Sequence, residues 1–148
     1  MTSKKLHKEP AKILIVDDDN DVLNALKSEL EEKGFSVRTV SEALKALEII
    51  YDEKFDIVIS DIRMPDMSGI EFLAKVKEIL PKSQQLMLTA YADEDAINVA
   101  HLNNIYRFTK PWNEQLSYVI HEMTIKHDLH KMIDKLLVEN EKLKRCSL

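Results

Sequence analysis

The sequence predicts an α/β protein, a parallel sheet of five strands with helices on both faces and an over-long last helix. Three observations predict it. Short aliphatic runs such as Lys12-Ile13-Leu14-Ile15-Val16 lack polar alternation, the pattern of strands buried on both faces. Between them, apolar residues recur at helical spacing, giving a (βα)5 rhythm and hence a parallel, helix-covered sheet. The two glycines, Gly34 and Gly69, both fall at helix ends rather than inside an element.

The first strand is followed by a helix from Asn20 to Lys33, carried by Val22, Leu23, Leu26 and Leu30 and ended at Gly34. Phe35 to Val40 reads as the second strand. Ser41 is the expected cap of a second helix bearing Leu44, Leu47 and Ile50. Phe55 to Ser60 forms the third strand. Ser68-Gly69-Ile70-Glu71 matches a capping box, and its helix runs through Leu73, Val76 and Leu80 to Pro81. Gln85 to Leu88 is the fourth strand, a short helix spans about Asp93 to Ala100, and Ile105 to Thr109 is the fifth strand. From Trp112 to about Arg145 there is neither proline nor glycine, so one helix of about 50 Å is expected. Its first half, Leu116, Val119, Ile120 and Met123, can cover the sheet, and the rest must project. The resulting division is a flexible tail over 1–10, a domain over 11–124 and a projecting helix over 125–148.

Composition narrows the class. A chain of 148 residues, 45% hydrophobic, can bury one good core. Its formal net charge of −5 argues against direct nucleic-acid binding as its main task. One cysteine, Cys146, excludes an internal disulfide framework and suits a reducing cytoplasm. The first ten residues lack the apolar stretch of a signal peptide, and no run approaches the ~20 apolar residues needed to span a membrane. A cytoplasmic protein without membrane insertion is expected.

Chemistry-bearing residues end four strands: Asp17-Asp18-Asp19, then Asp61, then Thr89, then Lys110. Open α/β sheets bind ligands at their carboxyl ends. There, Asp18 and Asp61 could share a hard cation such as Mg²⁺, while Asp17 holds a bound water or orients Asp18. Asp61 would attack phosphorus as a carboxylate nucleophile, with Lys110 and Thr89 receiving the phosphoryl oxygens. The plainer reading has Asp18, Asp19 and Asn20 capping a helix and Asp61 sitting in a turn before Pro65. Each residue alone favours the plainer reading. Their joint placement at four consecutive strand ends favours the chemical one.

Ile13 to Asp19, Val58 to Gly69, Leu88-Thr89-Ala90 and Thr109-Lys110-Pro111-Trp112 together resemble the receiver domain of two-component response regulators, chemotaxis-regulator-like, over about Lys12 to His121. The resemblance implies a flavodoxin-like doubly wound sheet of order 2-1-3-4-5. It implies Asp61 as phosphoacceptor, and Asp17, Asp18, Asp61 and the main-chain carbonyl of Arg63 as Mg²⁺ ligands. Thr89 and Lys110 would sense the phosphoryl group, and the Lys110–Pro111 bond would be cis. The implied partner is a sensor histidine kinase or a phosphotransfer protein.

Two features depart from that pattern. Many receivers carry Tyr or Phe three residues before the lysine, where this chain has Arg107 between Tyr106 and Phe108. Either Tyr106 substitutes through a register shift, or signalling runs through other contacts, and simple sheet packing explains both rings equally well. Arg63 and Tyr91 would flank the phosphoryl group and tune its lifetime. The second departure is the long helix. Lys126, Ile133 and Asn140 fall at heptad position a, and Leu129, Leu136 and Leu143 at d, which permits a parallel homodimer with Asn140 setting register. A linker helix leading to a further domain is the alternative. His121, His127 and His130 on that helix form a weaker metal candidate.

The expected function is a signalling switch: phosphoryl transfer from phosphohistidine to Asp61, then self-dephosphorylation, with enzymatic activity only in that sense. A phosphorylation-independent dimeric adaptor acting through the helix is the alternative from another class. A phosphatase of the haloacid-dehalogenase type would want a second aspartate where Arg63 stands, and a dinucleotide-binding domain would want glycines after strand one.

Overall fold

The computed structural model describes residues 9–90, 98 and 105–146. Five strands, β1 (Lys12–Val16), β2 (Ser36–Val40), β3 (Ile57–Asp61), β4 (Gln84–Thr89) and β5 (Tyr106–Thr109), pair in parallel in the order β2-β1-β3-β4-β5. The helices are α1 (Asn20–Glu32), α2 (Ala43–Asp52), α3 (Gly69–Ile79) and α4 (Glu114–Cys146). This is the parallel, helix-covered sheet that the alternating pattern predicts and the flavodoxin-like, doubly wound order that the resemblance implies, with the expected long C-terminal helix. The short helix expected over 93–100, and Tyr91, lie outside the described residues except for Asn98, which is helical. Residues 1–8 of the expected tail lie outside them too.

The central strands divide their side chains between two cores, as a strand period of two requires. Leu14, Val16, Val58 and Met87 face α2 and α3, meeting Ala46, Ile50, Phe72 and Val76. Ile13, Ile15, Ile57, Ile59, Leu86 and Leu88 face the other way, meeting Leu26 and Leu30 of α1 and Leu116, Ile120 and Met123 of α4. Neither face reaches water, which is why these strands read as unbroken apolar runs.

Local signals set the helix ends. Ser68 Oγ accepts the Glu71 N–H at 3.1 Å, as the capping box predicts. After α1, Gly34 takes φ 97°, and the Phe35 N–H reaches Leu30 O at 3.1 Å while the Gly34 N–H reaches Glu31 O at 3.0 Å. Those two bonds make a Schellman motif, open to glycine because the left-handed conformation is strained for a side chain. Ser41 does not cap α2. The N-cap is Glu42, with no side-chain capping bond of its own, and Asp66 Oδ2 from the loop after β3 accepts the Leu44 N–H at 3.0 Å instead. A cap supplied from a distant loop leaves no local trace in the sequence.

In α4 the buried residues are Leu116, Ile120, Met123 and His127. Beyond His127 the large apolar side chains Leu129, Met132, Ile133, Leu136, Leu137, Val138 and Leu143 are exposed. Among the described residues, no helix is long and apolar enough to cross a membrane.

Candidate functional site

The carboxyl ends of β1 and β3 bring Asp17, Asp18 and Asp61 together, each offering a carboxylate oxygen within 4.8 Å of the others. The strand–turn–helix connection after β1 turns Asp17 inward, where it is 1% exposed, and Asp19 outward. Asp19 is the N-cap of α1, accepting the Asp21 N–H at 2.9 Å, while its own N–H donates to Asp17 Oδ1 at 2.9 Å. The capping that the plainer reading expects falls to Asp19 alone. Asp19 caps the helix, and Asp17 and Asp18 face the pocket.

Asp61 ends β3 with Oδ1 accepting the Ile62 N–H at 2.8 Å, which leaves Oδ2 toward the lysine. The backbone carbonyl of Asp61 accepts the buried Ser60 hydroxyl at 2.8 Å. Lys110 follows β5, its backbone N–H donating to Thr89 O at 2.7 Å, and the Lys110–Pro111 bond is cis. The Lys110 Nζ donates to Asp17 Oδ2 at 2.7 Å and lies 3.4 Å from Asp61 Oδ2. Thr89, at the end of the intervening strand, is buried. Arg63 lies in the loop two residues past Asp61, exposed, in an isolated antiparallel bridge with Ser68. The structure thus brings four of the predicted residues into one cluster and sets Thr89 and Arg63 in the adjoining strand end and loop.

Three carboxylates face one ammonium, and the titration of the buried pair reflects it. Burial pushes the Asp17 carboxyl above the usual range, more than the Lys110 and Asp19 hydrogen bonds pull it down, and the charge of Asp61 adds to the rise. Burial alone would lower Lys110, but the adjoining Asp17 and Asp61 hold its proton more firmly than in water. Hard oxygen donors with excess negative charge are what a small divalent cation takes, so Asp17, Asp18 and Asp61 fit one. They are the one such group among the described residues. The helix histidines do not converge: His121 meets the Phe35 ring edge-on at 5.9 Å, and His127 Nε2 lies 3.0 Å from Asp56 Oδ1.

Tyr106 and Phe108 pack on the α1 and α4 side of the sheet, and Arg107, between them, is exposed. The two rings are sheet packing.

Two residues support the site in ways the sequence did not assign to them. A Cβ on Gly69 would fall 1.9 Å from the Asp61 carbonyl oxygen, so only glycine lets the first turn of α3 lie against the end of β3. The Gly69 N–H also donates to Ile62 O at 2.6 Å. A glycine inside a helix start, directly after a capping serine, was the available signal. Asp66, the remote cap of α2, was the other, and nothing local marks it.

Fold and site together define an α/β protein with an acidic pocket at the carboxyl end of a doubly wound sheet. The chain belongs to the response regulator receiver domain family, whose model matches residues 13–120. It is therefore a receiver of two-component, phosphorylation-based signalling, a family whose members take phosphoryl groups from histidine kinases or phosphotransfer proteins. Sporulation initiation phosphotransferase F of Bacillus subtilis (strain 168) is 33% identical over 103 residues, 69% of this chain and 83% of that protein. The transcriptional regulatory protein GlrR of Escherichia coli (strain K12) is 34% identical over 111 residues, 74% of this chain. The match spans 25% of GlrR, so the chain corresponds to about a quarter of that relative's length. The CheY-like response regulator receiver domain protein of Methanospirillum hungatei JF-1 superposes with a TM-score of 0.73 at 30% identity, over 83% of this chain and 98% of that one.

Proposed function

We propose that the chain is a cytoplasmic phosphorylation switch in which Asp61 accepts a phosphoryl group from phosphohistidine on a sensor kinase or phosphotransfer protein. The observation that carries this reading is the position of Lys110 Nζ, 2.7 Å from Asp17 and 3.4 Å from Asp61, beside three converging carboxylates. Asp61 Oδ2, the oxygen not held by the Ile62 amide, forms the new O–P bond as the N–P bond of phosphohistidine breaks, and imidazole leaves with that electron pair. Lys110 pairs with the phosphoryl oxygens as a point charge, and Thr89 donates its hydroxyl to them. Asp17, Asp18, Asp61 and the Arg63 carbonyl are the residues that would hold Mg²⁺. Bound there, Mg²⁺ supplies neutralisation of the charge on the transferring group. Water later attacks phosphorus, returning the Asp61 carboxylate and inorganic phosphate.

The proposed receiver occupies 11–124, with the tail before it and the helix over 125–148 as the element through which two chains pair. From His127 to Leu136 is nine residues, about 2.5 turns, so Leu136 points opposite the buried His127. Leu129, Leu136 and Leu143 thus line a face turned away from the sheet, open to a second copy, with the exposed Ile133 at its border with the sheet side.

Intact mass after incubation with acetyl phosphate tests the chemistry. A single phosphoryl adduct is expected with Mg²⁺, and none without it or in Asp61→Asn. An adduct that persists in Asp61→Asn would refute the assignment. No adduct, no Mg²⁺ binding and no beryllofluoride binding would favour the phosphorylation-independent adaptor.

A further inference from the structure

At the end of the sheet opposite the carboxylates, α4 and the start of β4 and β5 line a cleft of about 350 Å³ that is open to solvent on one side. Its volume lies within the range of small-molecule sites, ~300–1,000 Å³. The charge around it contradicts the chain as a whole. The protein carries −5, yet Lys77, Lys82, Lys126 and Lys131 all line this cavity, and Asp134 is the only acid among its described lining residues.

Two of the four lysines have carboxylate partners. Lys82 lies 3.5 Å from Asp134, and Lys131 lies 3.2 Å from Asp56. Lys77, at the end of α3, and Lys126, on α4, have none among the described residues. His130 lines the same space. Four exposed lysines around one concavity raise the local positive potential, which an anion would lower by binding there. The rest of the lining includes the partly buried Tyr106 ring and the polar Ser83 and Gln84. Nothing in the phosphoryl chemistry of Asp61 uses this end of the molecule.

We infer that the cavity binds a small molecule carrying two or more phosphate groups, its phosphates bridging Lys77 and Lys126 and its uncharged part lying toward Tyr106. Such a ligand joins α3 to α4 beside the His127–Asp56 contact, so it fastens the root of the projecting helix to the sheet.

Titration calorimetry on the full chain tests this, with pyrophosphate and ATP as probes and EDTA present so that the carboxylate cluster holds no metal. One-to-one binding is expected, weakened about tenfold or more in the Lys77→Gln/Lys126→Gln variant, because each lysine supplies a charge-assisted hydrogen bond. Lys45→Gln, an exposed lysine on α2, is expected to leave the affinity unchanged. Tighter binding of ATP than of pyrophosphate would support the role of the Tyr106 wall. Lys126 also sits on the helix face proposed to pair, so sedimentation accompanies the double variant. Should its oligomeric state differ, Lys77→Gln alone must still weaken binding. Absence of binding, equal affinity in the lysine variants, or equal competition by sulfate at matched ionic strength would overturn the inference.

Discussion

Asp61 owes its position to the space beside it. The first turn of α3 presses on the Asp61 and Ile62 backbone closely enough that a Cβ at Gly69 would overlap the carbonyl. Because backbone is the obstacle, no flexible side chain can yield. Gly69→Ala is expected to destabilise the fold by about 1–3 kcal/mol, the range for overpacking, and to slow phosphoryl uptake at Asp61 by displacing it. Urea midpoints and the rate of adduct formation measure the two effects, and an unchanged midpoint would show that α3 shifts freely. At this scale the sequence was informative about the reacting groups and silent about their supports. Asp17, Asp18, Asp61 and Lys110 each end an apolar run, a position visible without any three-dimensional information. Gly69 and Asp66 act across gaps between elements, and only the folded backbone brings their partners near.

Among the elements, α4 is anchored through Asp56, which ends the turn before β3. Asp56 Oδ2 accepts the Lys12 N–H at 2.8 Å, and Oδ1 lies 3.0 Å from His127 Nε2 and 3.2 Å from Lys131 Nζ. One carboxylate thereby joins β1, β3 and α4. Burial by itself would raise its pKa, but the Lys12 amide, Lys131 and His127 outweigh burial and hold it below the usual carboxylate value. A depressed folded-state pKa contributes stability above the unfolded value, about 3.9, and loses it as pH falls through the folded one. Asp56→Asn is therefore expected to cost about 1.5–3 kcal/mol at neutral pH, the scale for hydrogen bonds to a charged group. Its gap from the wild type should narrow below about pH 4. Denaturant titrations at both pH values decide it, and a gap independent of pH would assign the loss to shape rather than charge. The period of the apolar residues disclosed α1, α3 and the first half of α4. It did not disclose that a histidine would continue the buried stripe of α4 after Met123, since an imidazole is buried only where a partner such as Asp56 awaits it.

For the whole molecule, the exposed apolar residues of α4 are the largest departure from a finished surface. Sedimentation is expected to show a dimer at high micromolar concentration and a monomer for Leu129→Glu/Leu136→Glu, with the receiver fold intact by circular dichroism. A wild-type monomer under those conditions, phosphorylated or not, would remove the paired-helix reading. The apolar runs of β1, β3 and β4 and the rhythm of strands and helices made a parallel, helix-covered sheet legible. The strand order came from the resemblance to receivers, and the structure has that order. The pairing of chains was legible only as a heptad pattern shorter than three clean repeats, because the partner that would bury it is another molecule.

The contact between His127 and Asp56 also has a mechanical meaning. From His127 to Cys146 the helix runs on for 19 residues, about 28 Å, with no further buried contact. That makes α4 a lever whose fulcrum lies at the amino end of the central strands. A tilt of about 10° there barely lengthens the His127–Asp56 contact, yet it carries the tip through ~5 Å, close to the ~5.4 Å rise of one helical turn. Movement too small to unseat the root is enough, at the far end, to exchange one turn's neighbours for the next.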